Sequence, residues 1–240
     1  ATTDIIDPEL TDSKGYNFDL GYRGSWTPAL QFDLSYFHLN YADRIGTIAQ
    51  LDPNGRVSQF RTNLGTSISR GFEGYVEVDP ITALFKSSRV GYVHLFASLA
   101  FVDATYGDFE VTSVNNGQIQ TRNLEGNQVE NAPRKINRFG ATYSYNRFSM
   151  TWQLSDIEEA YSDASNTVAP NAAATVGLIP AYRVQDLSAS WNFWKQHSIK
   201  AGVNNLTDAR YFTRRAGGYP GPGIMPADGR TFYLTAALKF

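Results

Sequence analysis

The chain has 240 residues, 21 Lys+Arg against 23 Asp+Glu for a formal net charge of −2, and no cysteine. That balance excludes the basic footprint of a nucleic-acid binder, and the missing cysteines exclude a disulfide scaffold and a thiolate metal site. Aromatic residues make up 14% of the chain, and no run approaches the ~18 apolar residues of a transmembrane helix, so any membrane-spanning structure here has to be built from strands.

In chain order, residues Ala1 to Lys14 are polar and read as the tail of a loop; the opening Ala1-Thr2-Thr3-Asp4 carries no leader pattern. Gly15 to Trp26 alternates, with Tyr16, Phe18, Leu20 and Tyr22 against Asn17, Asp19, Gly21 and Arg23, and period two means opposite faces of a sheet. Thr27-Pro28-Ala29 is a short turn. Leu30 to Asp43 is the next strand, its parity blurred at Phe37-His38-Leu39 in the manner of a bulge. After a loop at Asp52-Pro53-Asn54-Gly55, the stretch Arg61 to Asp79 places Phe72, Val76 and Val78 opposite Glu73, Tyr75 and Glu77. Pro80 to Ser88 reads as a longer turn.

Val90 to Tyr106 is the most apolar strand, and Gly107 to Pro133 reads as a long polar loop. Lys135 to Tyr145 turns over Asn146-Arg147 into Phe148 to Asp156, and a second long loop runs from Ile157 to Ala181. Tyr182 to Trp194 sets Leu187, Ala189, Trp191 and Phe193 against Asp186, Ser188, Ser190 and Asn192. A tight turn at Lys195-Gln196 leads into His197 to Asp208. A Gly/Pro-rich loop then precedes the last strand, Gly229 to Phe240, where Phe232, Leu234, Leu238 and Phe240 share one parity and Thr231, Tyr233, Thr235 and Lys239 the other. The pattern is all-β, an antiparallel meander of about nine strands with no helix of any length and no linker dividing domains.

Tight joins near Pro28, Asn146 and Gln196 alternate with long ones after Asp43, Asp103, Asp156 and Asp208. Short turns on one side and long loops on the other are the rule for outer-membrane barrels. Each strand that enters a long loop is expected to end on one of those aspartates, beyond the apolar band, where a charge stays hydrated. Asp also favours loop starts in any β-protein. Asp19, Arg23, Asp33, Glu73, Glu77 and Lys239 read as lumen charges.

In the C-terminal part, Asn205, Leu206, Asp208 and Tyr211 form an N-L-x-D-x-x-Y pattern, followed by a Gly/Pro loop and by a strand from Arg230 that ends on Phe240. This arrangement resembles the C-terminal end of TonB-dependent outer-membrane receptors. Ser162-Asp163-Ala164, Asn166-Thr167-Val168 and Gly177-Leu178-Ile179-Pro180-Ala181-Tyr182 resemble the ferric-citrate-type members. The resemblance implies that residues 1–240 are the C-terminal part of a transmembrane barrel of about 22 strands, with the plug domain and earlier strands outside this chain. It implies location in the bacterial outer membrane, with the long loops facing the exterior and Phe240 the periplasm. It further implies an iron-chelate ligand, lipid, the plug, the TonB complex and the barrel-assembly machinery as partners, with Phe240 as the assembly signal. A small self-contained porin or adhesin-like barrel and a soluble β-protein are the alternative readings.

No catalytic pattern is present. His38, His94 and His197 lack metal-ligand spacing, there is no G-x-S-x-G elbow, and no cofactor is expected. Glu158-Glu159 reads as a solvated rim, and the glycines of Gly217-Gly218-Tyr219-Pro220-Gly221 lack the strand-to-helix setting of a phosphate loop. For an anionic chelate, guanidinium forks suit carboxylates. That points to Arg214 and Arg215 in the last long loop, with Tyr211 and Tyr219 beside them. Adjacent residues of an extended loop point opposite ways, so one arginine of the pair is expected to face the ligand. Arg122, Arg134 and Arg138, and the stretch Asn115 to Gln120, are weaker candidates.

Overall fold

The computed structural model describes residues 4–51, 57–85, 89–115, 118–194, 197–217 and 222–238. Nine antiparallel strands among these residues form one continuous path. In chain order they are β2 (Lys14–Thr27), β3 (Leu30–Leu51), β4 (Val57–Val78), β5 (Tyr92–Asn115), β7 (Lys135–Tyr145), β8 (Phe148–Ile157), β11 (Tyr182–Phe193), β12 (His197–Asn204) and β15 (Thr231–Ala237). Two short strands attach to this path: β1 (Asp4–Ile6) lies parallel to β4, and β6 (Gln118–Asn123) pairs with the far end of β5. The ladders β9 (Ala160–Tyr161) with β10 (Leu178–Ile179), and β13 (Phe212–Ala216) with β14 (Gly223–Pro226), stand apart from the main sheet.

The register carries the parity of each strand across the whole sheet. Leu20 lies opposite Tyr36, Tyr36 opposite Phe72 and Phe72 opposite Phe101. Farther along, Phe139 meets Leu154, Trp152 meets Leu187, Leu187 meets Val203 and Val203 meets Phe232. Directly opposite residues share a face, so this is one apolar surface. The other face aligns Arg23 with Asp33, Asp33 with Tyr75, Ser35 with Glu73, and Ser188 with Thr151. The expected lumen charges Asp19, Arg23, Asp33, Glu73 and Glu77 all fall on this polar face; Lys239 lies outside the described residues.

The apolar face is uncovered. Trp26 is 82% exposed, and Phe232 and Leu234 are each 74% exposed. In water such a surface would cost roughly 25 cal/mol per Å², so the sheet suits a hydrocarbon surround. Among the described residues no helix is long and apolar enough to cross a membrane; strands do the spanning. Among the described residues, the edges β2 and β15 each have a single partner in the sheet.

The joins alternate short and long as expected, with several differences. β3 and β4 do not stop near Asp43 and Arg61; they pair out to Leu51 and Val57. Asp43 takes φ +54 at a register shift between Tyr41 and Arg44, so its loop-start chemistry is spent on a bulge inside a strand. The ladder is unbroken through His38 and Leu39, where a bulge was expected. β5 likewise runs past Asp103 to Asn115, and Gly107 to Pro133 contains a hairpin rather than only loop. The first segment is tied to β4: the Asp7 backbone N–H donates to Arg61 O at 2.9 Å, and Asn63 Nδ2 donates to Thr11 O at 2.9 Å. Pro80–Leu84 forms a one-turn helix, α1, because Asp79 Oδ1 accepts from the N–H groups of Ile81 (2.9 Å) and Thr82 (3.0 Å) and Pro80 occupies the first turn. Asn146, at φ +51, makes the two-residue turn between β7 and β8. The turns at Asp52-Pro53-Asn54-Gly55 and Lys195-Gln196 lie outside the described residues.

The buried core sits at the long-loop end, above the sheet. Tyr106, Phe109 and Leu124 cluster there with Leu64, Val111, Val129 and Ala164 against them. Tyr106 and Phe109 stack with centroids 4.2 Å apart, and the Arg44 guanidinium lies over both rings at 5.6 and 5.8 Å. The Tyr106 hydroxyl donates to the Glu130 carboxylate.

Candidate functional site

The long-loop end is a knitted layer made from three excursions, and its bonds cross long sequence distances. Asn166, at φ +53, accepts from the Gln128 backbone N–H at 2.7 Å and returns a bond from Nδ2 to Gln128 O at 2.7 Å. Asn127 Nδ2 donates to Ala164 O at 3.0 Å, and the Asn131 N–H donates to Tyr161 O at 2.7 Å. Thr167 Oγ1 donates to Asp163 Oδ1 at 2.9 Å, closing the turn that presents Asn166. The stretch from Ser162 to Val168 is therefore a fastener between the first and second loops.

Asn205, Leu206, Asp208 and Tyr211 form a second fastener. Asn205 is only 3% exposed and has φ +52. Its Oδ1 accepts from the Ala209 N–H at 2.8 Å, while Nδ2 donates to Ala209 O at 2.9 Å and Asp228 O at 3.2 Å. Its own N–H donates to Asp186 Oδ1 at 2.9 Å. Asp208 Oδ1 accepts from the Arg230 N–H at 2.9 Å, and Arg210 Nη2 reaches Asp208 Oδ2 at 3.2 Å. The Arg230 backbone bond, with the Arg210 and Arg230 charges, holds the Asp208 carboxyl below its ordinary range despite some opposing desolvation. This knot ends β12 at Asn204, four residues before the expected Asp208.

The three candidate ligand residues among the described residues separate by role. Arg215 is turned into the layer: Nη1 donates to Ala174 O at 3.0 Å and Nη2 to Leu178 O at 2.9 Å. Its guanidinium also lies over the Phe212 ring at 4.9 Å, and its Nε is buried without a hydrogen-bond partner. Arg214 is exposed and pairs with Met225 just after a register shift between Phe212 and Arg214 in the β13–β14 ladder. Tyr211 stacks on Tyr182 with centroids 4.5 Å apart and borders a cleft of ≈490 Å³ that Asp186 and Asp228 also line. Burial, followed by those two carboxylates, raises the Tyr211 hydroxyl above its ordinary value. Two carboxylates thus line that cleft, whereas Arg214 stands exposed on the β13–β14 ladder. Tyr219 and Phe240 lie outside the described residues, as do Gly218, Pro220 and Gly221.

The weaker candidates are scattered. Arg122 is exposed on β6 opposite Val111, whereas Arg138 sits on the polar face between Ser98 and Ser155. Arg134 lies at the foot of the layer, its carbonyl accepting from the Val102 N–H at 2.9 Å. Of the Asn115 to Gln120 stretch, Asn115 pairs with Gln118 at the hairpin end; residues 116 and 117 lie outside the described residues. Glu158 bonds Lys135 at 3.3 Å. The Tyr106 core and the Asn166–Gln128 exchange escaped sequence reasoning, and the φ-tolerant Asn166 was the available signal.

Residues 1–206 match the family profile described as TonB dependent receptor-like, beta-barrel. The probable TonB-dependent siderophore receptor PiuA of Acinetobacter baumannii is 26% identical over 252 residues, covering 100% of this chain and 28% of the relative. Among solved structures, the ferric citrate transporter FecA in its unliganded form superposes with TM-score 0.73 and 22% identity, covering 94% of this chain and 31% of that one. The siderophore receptor PiuA from Acinetobacter baumannii superposes with TM-score 0.65 and 20% identity, covering 92% and 28%. The chain thus spans less than a third of the length of these relatives.

Proposed function

The chain belongs to the TonB-dependent receptor-like β-barrel family, a family of bacterial outer-membrane proteins, and from that premise we propose that it is a segment of barrel wall and outer loops in a receptor for an iron chelate, ferric citrate or a related siderophore. The exposed Arg214, presented by a loop layer that Arg215 pins in place, carries this reading. A citrate-type chelate bears carboxylates, and a solvent-facing guanidinium on a fixed scaffold is a suitable first contact. The rest of the activity (the plug, TonB coupling and release to the periplasm) belongs in this proposal to the longer receptor. That the named relatives are receptors and transporters supports a role in uptake rather than catalysis.

The self-contained barrel reading is less favoured because β2 and β15, the two edges of the path, have no mutual pairing among the described residues. An unpaired edge in lipid costs several kcal/mol per backbone group. The test is titration of the full receptor with ferric citrate and with a neutral hydroxamate chelate. Saturable binding of ferric citrate that weakens with salt is the expected result; equal binding of both chelates removes the citrate assignment.

A further inference from the structure

We propose that Met225 is a modification site, and that its oxidation to the sulfoxide by a hydroperoxide occupies Arg214 and weakens capture of an anionic chelate. The inference rests on the reading of Arg214 as the first ligand contact. The chain holds two methionines, Met150 and Met225. Met225 is 39% exposed and lies directly opposite Arg214 in the β13–β14 ladder, where Arg215 meets Ile224 and Ala216 meets Gly223. Directly opposite residues of an antiparallel pair share a face, with Cβ atoms about 4.5–5.5 Å apart. Among the described residues no hydrogen bond or ion pair engages the Arg214 guanidinium, whereas Arg215 has two donors committed to Ala174 O and Leu178 O. The Met225 thioether and an uncommitted guanidinium are therefore neighbours on the exposed face of the ladder.

The chemistry needs only a hydroperoxide from the solvent. The thioether sulfur attacks one peroxide oxygen, so an S–O bond forms as the O–O bond breaks. The second oxygen leaves as hydroxide or alkoxide and takes a proton from water. Sulfur is oxidised by two electrons, and the peroxide is reduced to water or an alcohol. A flexible apolar group thereby becomes a polar one. The new oxygen accepts hydrogen bonds, and a guanidinium has five N–H donors and no acceptor. The sulfoxide satisfies Arg214 locally, and a chelate carboxylate has to displace it. A neutral acceptor binds a guanidinium less strongly than a carboxylate does, so capture is attenuated rather than abolished. Reduction of the sulfoxide reverses the change, and less iron captured under peroxide means less iron to react with it. Met150 is set apart by its place: it is 41% exposed, but on the apolar face opposite Tyr143 and Ala189, where hydrocarbon limits a polar oxidant.

The test treats the full receptor containing this chain with hydrogen peroxide and locates oxidation by peptide mass spectrometry. Met225 should convert to the sulfoxide faster than Met150. Phenylglyoxal, which labels uncommitted guanidinium groups, should then modify Arg214 more slowly than in the untreated receptor, with no ligand present. Ferric-citrate affinity should fall by a factor of about two to ten, the span of a single net hydrogen bond. Methionine sulfoxide reductases should restore it. Met225→Leu keeps the volume and apolar character of the side chain. It should bind ferric citrate as the parent does and ignore peroxide in both readouts. Arg214 labelling that is indifferent to oxidation, or the same affinity loss in Met225→Leu, would overturn the proposal. Arg214→Ala binding like the parent would instead overturn the ligand contact on which it rests.

Discussion

Arg215 Nη2 donates to the backbone carbonyl of Leu178 at 2.9 Å, joining two loops 37 residues apart. The neighbouring Arg214 is exposed, so one of two adjacent arginines fastens the loop layer and the other is presented to solvent.

That division predicts opposite phenotypes. Arg215→Ala should loosen residues 174–178 and β13, raise their hydrogen exchange, and cost about 1.5–3 kcal/mol, the worth of hydrogen bonds to a charged group. Arg214→Ala should leave exchange unchanged and weaken ferric-citrate binding to the full receptor by about 1.5–3 kcal/mol. Loss of ligand affinity only in the Arg215 variant would transfer the ligand contact away from Arg214.

Asn205 makes a separate test of the second fastener. Asn205→Gly keeps the backbone conformation at φ +52 but removes the three side-chain bonds to Ala209 and Asp228. It should destabilise the β12–β15 join by about 1–3 kcal/mol. Asn205→Ala should cost roughly 1–2 kcal/mol more, because a Cβ disfavours the left-handed region. Equal losses in reversible refolding into lipid would show that the backbone is not held there.

Acid should release the same knot. The folded Asp208 carboxyl titrates below its ordinary value of 3.8, with the Arg230 N–H bond as the main cause. Its contribution is therefore fully present above pH 3.8 and is lost as pH falls below that value through the lowered folded one. Proteolysis of the 205–230 loop should rise in that window, and Asp208→Asn should flatten the response. An unchanged acid profile in the Asn variant would assign the effect to another group.

The pleat predicts a contrast between two neighbours on the last strand. Leu234 lies on the apolar face opposite Ala201, and Thr235 lies on the other face opposite Lys200. Leu234→Arg should lose roughly 2–4 kcal/mol more than Thr235→Arg when refolded into bilayers. Similar losses would mean that the apolar face does not meet lipid.

The alternation of the chain is enough to locate its strands and assign their faces. Period-two alternation places Phe72 apart from Glu73, or Leu187 apart from Asp186, whatever the chain packs against, because successive Cβ atoms point to opposite sides. The sequence also marked Asn205, Leu206, Asp208 and Tyr211 through a family resemblance, without revealing that Asn205 and Asp208 act as a latch. How far β3 and β5 extend depends on their neighbours in the sheet, because Asp43 and Asp103 read as stops and lie within paired strands. Only the folded chain placed Phe109 and Leu124, from a stretch of polar composition, against Tyr106. It also separated Arg214 from Arg215, since the acceptors that hold Arg215 are the backbone carbonyls of Ala174 and Leu178. Every residue carries such a carbonyl, so no side-chain pattern in the sequence can single out those two.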